Sequence, residues 1–173
     1  MKLCLTIAIL LCIAINASGQ KALKDSVEKK ESFAVAEIGG AASLDIKGNG
    51  ASYGYNIAVE VTPIEDWLEL EMGITSSFGI QLREQDVDLL FKKPWTLSPK
   101  AEFMFGLGLA WNHQNSYGTI SNTGSGEVAL DFMFWPLAKH RFGWYLEPAY
   151  EYGFSQGHEQ SIGMSAGLLI AIP

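Results

Sequence analysis

The sequence predicts an all-β fold: eight antiparallel strands closed into an up-and-down transmembrane β-barrel, preceded by a signal peptide. Three observations predict it. Bulky apolar residues alternate with small or polar residues at a period of two over most of the chain after residue 33, and this period indicates strands. The alternating segments are about ten residues long, which suits a strand tilted across a bilayer. Their connections also alternate in kind along the chain.

The N-terminal segment "MKLCLTIAILLCIAINASGQ" has the layout of a secretory signal peptide. Lys2 precedes an apolar run over residues 3–15, and small residues follow. The run is too short to cross a bilayer as a helix, which needs roughly 20 apolar residues. Ala17 and Gly19 fit the small-x-small cleavage pattern. We therefore expect residues 1–19 to be removed, with the cut between Gly19 and Gln20.

The exported chain is expected to have no disulfide, because Cys4 and Cys12 both lie in the signal peptide. Its stability must then come from packing and hydrogen bonding. Residues 20–32 are charged and lack an apolar period, which indicates a flexible N-terminal arm. The barrel is expected to cover residues 33–173.

The clearest strand is "YGYNIAVEVT", residues 53–62, in which the odd positions are bulky and the even positions are small or polar. The same alternation identifies the other strands, which are residues 68–75, 101–112, 128–134, 142–154 and 161–172 and, less cleanly, residues 33–46 and 84–93. Pro148 lies within the seventh strand. A closed barrel has no free edge for a residue without an N–H, so we expect a local bulge there.

The connections predict two unlike ends. Proline-containing links follow strands two, four and six, in "TPIED", "KPWTLSP" and "WPLAKHR". Longer, polar or glycine-rich loops follow the odd-numbered strands, in "KGNGAS", "SFGIQLRE", "HQNSYGTISNTGSG" and "SQGHEQ". Short turns at one end and longer loops at the other are typical of outer-membrane barrels.

The composition of the two strand faces indicates which one meets lipid. The polar face is rich in residues such as Gly54, Ala58, Gly73 and Gly106, which fit a narrow lumen. The bulky face carries more Phe, Leu and Trp than a small lumen could hold. Aromatic residues also fall into two belts, as expected at two membrane interfaces. Trp67, Trp95, Trp135 and Trp144 lie beside the short links, and Tyr53, Trp111, Tyr152 and Phe154 lie beside the longer loops.

The stretches "FKKPWTLSP", "ALDFMFWP", "FGWYLEPAYEYGF" and "GHEQSIG" are similar to those of uncharacterised exported barrel proteins. Over residues 33–173 the chain resembles the small outer-membrane β-barrel family of Gram-negative envelopes, which includes the membrane domain of OmpA-like proteins. The resemblance implies residence in the outer membrane as a monomer, with membrane lipid and the barrel assembly machinery as partners. It brings no shared catalytic motif. These barrels usually end on an aromatic residue, whereas this sequence ends "IAIP".

Strand parity places an acidic row in the lumen. Its members are Glu37, Glu60, Glu69, Glu71, Glu102, Glu127, Asp131, Glu147 and Glu151. All but Glu127 and Glu151 fall toward the short-turn end, where the inward bases are Lys92 and Lys100. Two lysines cannot neutralise seven carboxylates, so some of these carboxylates must be protonated or must bind cations. The row therefore predicts either a hydrated polar plug that rigidifies the barrel, or a cation site or narrow cation-selective path. Wide conduction is not expected, because side chains fill an eight-stranded lumen.

Two other function classes compete with a structural, surface-interaction or small-solute role. A lipid A-modifying enzyme would need Ser, His and an acid near the outer rim, for which the candidates are His113, His158, Glu159, Ser161 and Ser165. A soluble lipocalin-like barrel in the periplasm would instead turn the bulky face inward to hold a ligand.

We expect no catalytic residue, no cofactor and no Cys/His metal cluster. Nucleic acid is not an expected partner either, because the net charge is −7 and there is no basic patch.

Overall fold

The structure, a computed structural model, describes residues 34–46, 50–79, 82–116, 118–137, 140–155 and 157–172. The predicted signal peptide, its cleavage site and the predicted arm at residues 20–32 lie outside the described residues. Among the described residues, no helix has the length and apolar character needed to cross a membrane.

Eight strands close into one barrel, each antiparallel to the next, and the last pairs with the first. They are β1 (Ala34–Asp45), β2 (Ala51–Ile64), β3 (Leu68–Gly79), β4 (Leu82–Ser98), β5 (Ala101–Ser116), β6 (Thr119–Phe134), β7 (Phe142–Gly153) and β8 (Gln160–Ile172). The predicted antiparallel, up-and-down barrel is confirmed. Ala34 pairs with Ile172, so the described barrel begins and ends at the same end as the links after β2, β4 and β6.

The prediction of long loops after the odd-numbered strands is partly wrong, because several residues assigned to these loops extend the strands. The segment "HQNSYGTISNTGSG" supplies the end of β5 and the start of β6, and Ser116 pairs with Thr119. The connection between them is only residues 117–118. Antiparallel neighbours that are already in register can continue to satisfy each other's backbone groups past the apolar band. The longest connection, residues 135–141, instead lies at the end predicted to have short links.

The two faces of each strand differ sharply in exposure. On β2, Ile57 is 50% exposed while Ala58 beside it is 1% exposed. The same alternation places a band of large apolar side chains on the outside of the barrel, including Met72, Leu109 and Leu168. A barrel in water would bury these side chains to gain the hydrophobic free energy. The outward band therefore fits contact with lipid.

The prediction of a bulge at Pro148 is wrong, because the strand register does not shift there. Along β6 and β7, Ala129 pairs with Ala149 and Phe132 with Leu146, so the register is the same on both sides of the proline. The β6–β7 pairs in between are missing, while Pro148 keeps its place opposite Met164 on β8. The missing N–H interrupts one ladder over two residues without inserting an extra residue.

An apolar cluster fills the lumen at the end where the described barrel begins and ends. It contains Met104, Met133, Trp135, Tyr145 and Leu169, all nearly inaccessible to solvent. The assignment of Trp135 to a lipid-facing belt is therefore wrong: its ring is 3% exposed and stacks on the ring of His140. Phe132 and Phe134 occupy the outward parity, so the next odd position follows Met133 into the lumen.

Candidate cation site in the barrel lumen

Lys92 lies at the centre of the acidic lumen and is 1% exposed. Its Nζ lies 2.6 Å from Glu147 Oε2 and 3.1 Å from Asp131 Oδ2. It also forms an ion pair with Glu71, and Glu60 Oε2 lies 3.7 Å away. These carboxylates come from β7, β6, β3 and β2, so one lysine on β4 connects five strands across the lumen.

Small residues beside Lys92 make room for its long side chain. Lys92 pairs with Gly106 on β5, which pairs with Ala129 on β6. A Cβ built at Gly106 would lie 3.1 Å from Lys92 Cγ. The aliphatic part of the lysine therefore lies over the glycine, and its ammonium group can reach Asp131 beyond. The glycine-rich face of β5 thus serves the charge cluster directly.

Four buried acids approach one another around this lysine. Carboxylate oxygens of Glu37, Glu60, Glu71 and Asp131, one from each residue, all lie within 4.8 Å of one another. All four side chains are at most 2% exposed. Glu37 Oε1, Glu60 Oε2 and Asp131 Oδ1 are buried and have no hydrogen-bond partner. With Glu147, the cluster has five carboxyl groups, and four of them, all but Glu37, form ion pairs with the single ammonium group.

Above the charge cluster lies a cavity of about 570 Å³. It extends from Glu71 and Glu147 to residues near the far end of the barrel, including Gly50, Gly79 and Gly153. Nine acids line it, which are Asp45, Glu71, Glu84, Asp86, Asp88, Glu127, Glu147, Glu151 and Glu159, and no Lys or Arg is among the described lining residues. We call this space the acidic vestibule.

The lumen is bridged at the edge of the acidic vestibule, which Asn56 lines, and it is filled below the vestibule. Tyr145 Oη donates a hydrogen bond to Asn56 Oδ1 at 2.7 Å, which joins β7 to β2 across the barrel. The apolar cluster that contains Tyr145 fills the lumen toward the chain ends. The acidic vestibule is therefore blind at this end.

Not every residue of the predicted acidic row belongs to the cluster. Glu69 and Glu102 are half-buried and lie outside the group of four carboxylates. Lys100, predicted to be an inward base, is instead exposed in the turn between β4 and β5. Strand parity does not apply there, because β4 ends at Ser98. Of the two predicted basic partners, only Lys92 meets the lumen acids.

Three acids of β4, Glu84, Asp86 and Asp88, line the acidic vestibule. They were not among the inward acids predicted from the sequence. A signal for them was present. Val87, Leu89 and Phe91 mark the outward parity of this strand, so the even positions must face the lumen.

The remaining belt residues are exposed at two levels of the barrel. Trp67, Trp95 and Trp144 lie near the end that holds the apolar cluster, and Tyr53, Trp111, Tyr152 and Phe154 lie near the opposite end. Neighbouring rings also pack together, as Phe134 does with Trp144 at a centroid distance of 4.0 Å.

The residues considered for a lipid-modifying enzyme fall into separate settings. Ser161 Oγ lies 3.4 Å from Glu151 Oε2 and donates to it. The ring of His158 stacks on Tyr152 at 5.5 Å. His113 Nδ1 lies 2.8 Å from Asn122 Oδ1 on the β5–β6 hairpin. Ser165 is buried in the lumen, and Glu159 lines the acidic vestibule.

Several solved structures share this fold. Neisserial surface protein A is 15% identical with a TM-score of 0.62, over 80% of this chain and 96% of that chain. The attachment invasion locus protein Ail of Yersinia pestis is 14% identical with a TM-score of 0.57, over 81% and 98%. The N-terminal β-barrel domain of Pseudomonas aeruginosa OprF is 13% identical with a TM-score of 0.58, over 80% and 98%.

No protein-family model matches the chain, and the comparison with curated proteins finds no match. At these identities the structural likeness establishes the fold, which is that of the small eight-stranded barrels of Gram-negative outer membranes.

Proposed function

We propose that this protein is a non-enzymatic outer-membrane barrel that attracts and holds small cations in its acidic vestibule at the cell surface, without passing them across the membrane. The observation that carries the proposal is the lining of the vestibule. Nine acids line it, and none of its described lining residues is a lysine or an arginine.

The outer face of the barrel supports the proposed membrane position. The exposed apolar band and the two aromatic levels fit outer-membrane lipid as the surrounding partner. Such barrels extend further on the extracellular side, and β5 and β6 stay paired through polar residues as far as Ser116 and Thr119 at the end opposite the chain ends. The chain ends would therefore lie in the periplasm, and the acidic vestibule would open outward. Export by the predicted signal peptide, insertion by the barrel assembly machinery and a monomeric state complete this proposal.

The electrostatics of the acidic vestibule favour accumulation of cations. A cleft lined by charges of one sign, with low-dielectric walls, focuses the field and raises the local concentration of counter-ions. The barrel wall in lipid supplies such a medium on every side. Mutual repulsion of the carboxylates is relieved when a cation enters, so its binding also stabilises the barrel.

The inner part of the lumen argues for retention rather than passage. A cation moving inward would meet the Tyr145–Asn56 bridge and the ammonium of Lys92, and then the apolar cluster. An ion in an apolar, unhydrated region carries a large desolvation cost. The structural features therefore support a blind vestibule more than the cation path considered from the sequence.

A lipid-modifying activity has less support. A nucleophilic serine needs a base within hydrogen-bond reach. Ser161 donates instead to the carboxylate of Glu151, and the ring of His158 stacks on Tyr152.

The proposal is tested with a cation that cannot shed its own ligands. The full chain is folded in detergent and titrated with hexaamminecobalt(III), and binding is followed by calorimetry. We expect binding by the wild type and weaker binding by the double variant Asp86→Asn/Asp88→Asn. The matched control is Glu65→Gln/Asp66→Asn in the β2–β3 turn, where Asn tolerates the positive φ of position 66. Equal loss in both variants would contradict the proposal.

Two further measurements test the membrane position and the blind lumen. A barrel in the outer membrane should resist cold SDS and change its gel mobility only after boiling. The protein in a planar bilayer should show no steady KCl conductance. A soluble, unshifted protein would contradict the membrane position, and steady conductance would contradict the blind vestibule.

A further inference from the structure

We propose that Glu37, Glu60, Glu71 and Asp131 form a buried binding site for one dehydrated divalent cation of the size of Ca²⁺, and that Lys92 is its internal competitor. This inference goes beyond attraction of hydrated cations in the acidic vestibule, because it concerns direct ligation by a different set of residues. It rests on the proposed function only for the route by which the ion arrives.

The spacing of the four acids fits the larger of the two common hard cations. One oxygen from each lies within 4.8 Å of the others. Opposite oxygens around Ca²⁺ are about 4.6–5.2 Å apart, from bond lengths of about 2.3–2.6 Å, whereas around Mg²⁺ they are about 4.0–4.2 Å apart. A limit of 4.8 Å allows all four oxygens to ligate one Ca²⁺. Ca²⁺ is favoured over Mg²⁺ because Mg²⁺ demands near-ideal octahedral geometry and usually keeps several of its waters, which a buried set of four carboxylates does not provide. Carboxylate oxygens are also the ligands that Ca²⁺ prefers.

Unpartnered oxygens give a second, independent indication of a ligand. Glu37 Oε1 and Asp131 Oδ1 have no hydrogen-bond partner, although both side chains are at most 1% exposed. Buried polar groups in folded proteins are normally paired, because the loss of hydration is otherwise uncompensated. An ion ligated by these oxygens would satisfy both at once.

Lys92 shows how the site can exist with and without the ion. Its ammonium contacts Glu71 and Asp131, so it occupies part of the space that the ion would take. It also lies 2.6 Å from Glu147 Oε2, which is not one of the four ligands. A small shift of the flexible lysine toward Glu147 would free the four ligands and still leave the ammonium paired. The ion would also reduce the net negative charge of the cluster, in which the carboxylates outnumber the single ammonium.

The acidic vestibule supplies the route. Glu71 is one of the four ligands and also lines the cavity. Glu147, which would remain paired with Lys92 when the ion is bound, lines the cavity as well. An ion collected in the cavity therefore meets the buried site at the cavity floor. No opening through the barrel wall or through the apolar cluster is needed.

The test is calcium titration of the full chain, folded in detergent and freed of metal with a chelator, followed by calorimetry and by the thermal unfolding midpoint. The wild type should show one saturable Ca²⁺ site with weaker binding of Mg²⁺. Glu37→Gln should weaken Ca²⁺ binding at least about tenfold, the loss that even an outer-shell partner can cause. Glu127→Gln is the matched control, because it removes one cavity carboxylate and none of the four ligands.

Lys92→Gln should change affinity in the opposite direction. Without the competing ammonium, Ca²⁺ should bind more tightly, and the unfolding midpoint should rise further on calcium addition than in the wild type. If this variant does not fold, the comparison of Glu37→Gln with Glu127→Gln still decides the question, because Lys92 keeps its contacts in both.

Three outcomes would overturn the proposal: no saturable Ca²⁺ binding, equal weakening by Glu37→Gln and Glu127→Gln, or binding of Mg²⁺ as tight as that of Ca²⁺. The hexaamminecobalt(III) titration separates this failure from failure of the proposed function. That complex keeps its own ligands, so it reports on the vestibule alone.

Discussion

Gly54 provides a sharp test of the lumen geometry, because the backbone around it shows whether substitution by alanine raises or lowers the free energy of unfolding. A Cβ built at Gly54 would lie 1.8 Å from the carbonyl oxygen of Ser76 and 2.8 Å from Ser77 Cα, both on the neighbouring strand. At Gly163, also on the lumen face, the nearest atom would be the Ala42 oxygen at 3.8 Å, an ordinary contact. The two substitutions add the same methyl group to different surroundings.

The expected magnitudes follow from two opposing effects. Alanine in place of glycine within a strand gains about 0.5–1 kcal/mol, because the unfolded chain loses conformational freedom. At Gly54 the methyl group must move about 1.2 Å further from a backbone atom to reach 3.0 Å, and overpacking of this kind costs about 1–3 kcal/mol or more. We therefore expect Gly54→Ala to destabilise the barrel by about 1–2 kcal/mol and Gly163→Ala to stabilise it slightly.

The assay is equilibrium unfolding by urea in lipid bilayers or detergent, followed by tryptophan fluorescence, with the SDS-resistant gel band as a second measure of folding. The informative quantity is the difference between the two variants at the same lipid and pH. Equal and small effects of Gly54→Ala and Gly163→Ala would refute the close approach of β2 and β3 at Gly54.

Three further substitutions test the interior in the same unfolding assay. Lys92→Met should cost about 3–5 kcal/mol, since it leaves buried carboxylates without their cation, and a loss no larger than that of the exposed Lys100→Met would contradict the cluster. Tyr145→Phe should cost about 1–3 kcal/mol by leaving its amide partner unsatisfied. Tyr150→Phe, which removes an exposed contact, should cost less, and the reverse order would count against the bridge. Trp135→Ala should cost about 3–5 kcal/mol, whereas a loss below about 1 kcal/mol would indicate that the ring faces lipid.

The fold was predictable from the sequence because a closed barrel repeats one simple rule in every strand. Side chains alternate between two environments, so lipid and lumen each impose a composition on every second residue. In "YGYNIAVEVT" this rule gives the strand, its outward face and its inward glutamate without any tertiary information. It also gives the inward direction of Lys92 and, when applied fully to β4, of Asp86 and Asp88.

The rule failed where strand parity no longer applied or continued further than expected. Lys100 lies in a turn, so alternation says nothing of its direction. Trp135 was grouped by residue type with the lipid-facing aromatics, although its odd position follows Met133 into the lumen. Residues 113–126 are polar and contain glycines, which suggested a loop, but pairing between β5 and β6 continues through them.

By itself, the sequence determined the number of strands, the inward and outward faces of regularly alternating strands such as β2, and the acidic character of the lumen. Only the tertiary structure decided which acids meet. Glu37, Glu60, Glu71 and Asp131 come from four different strands, and their approach depends on the stagger of neighbouring strands and on the closure of β8 onto β1. The physical reason is that alternation is a local property of each strand, whereas the height of a residue in the barrel depends on every register between it and its neighbours.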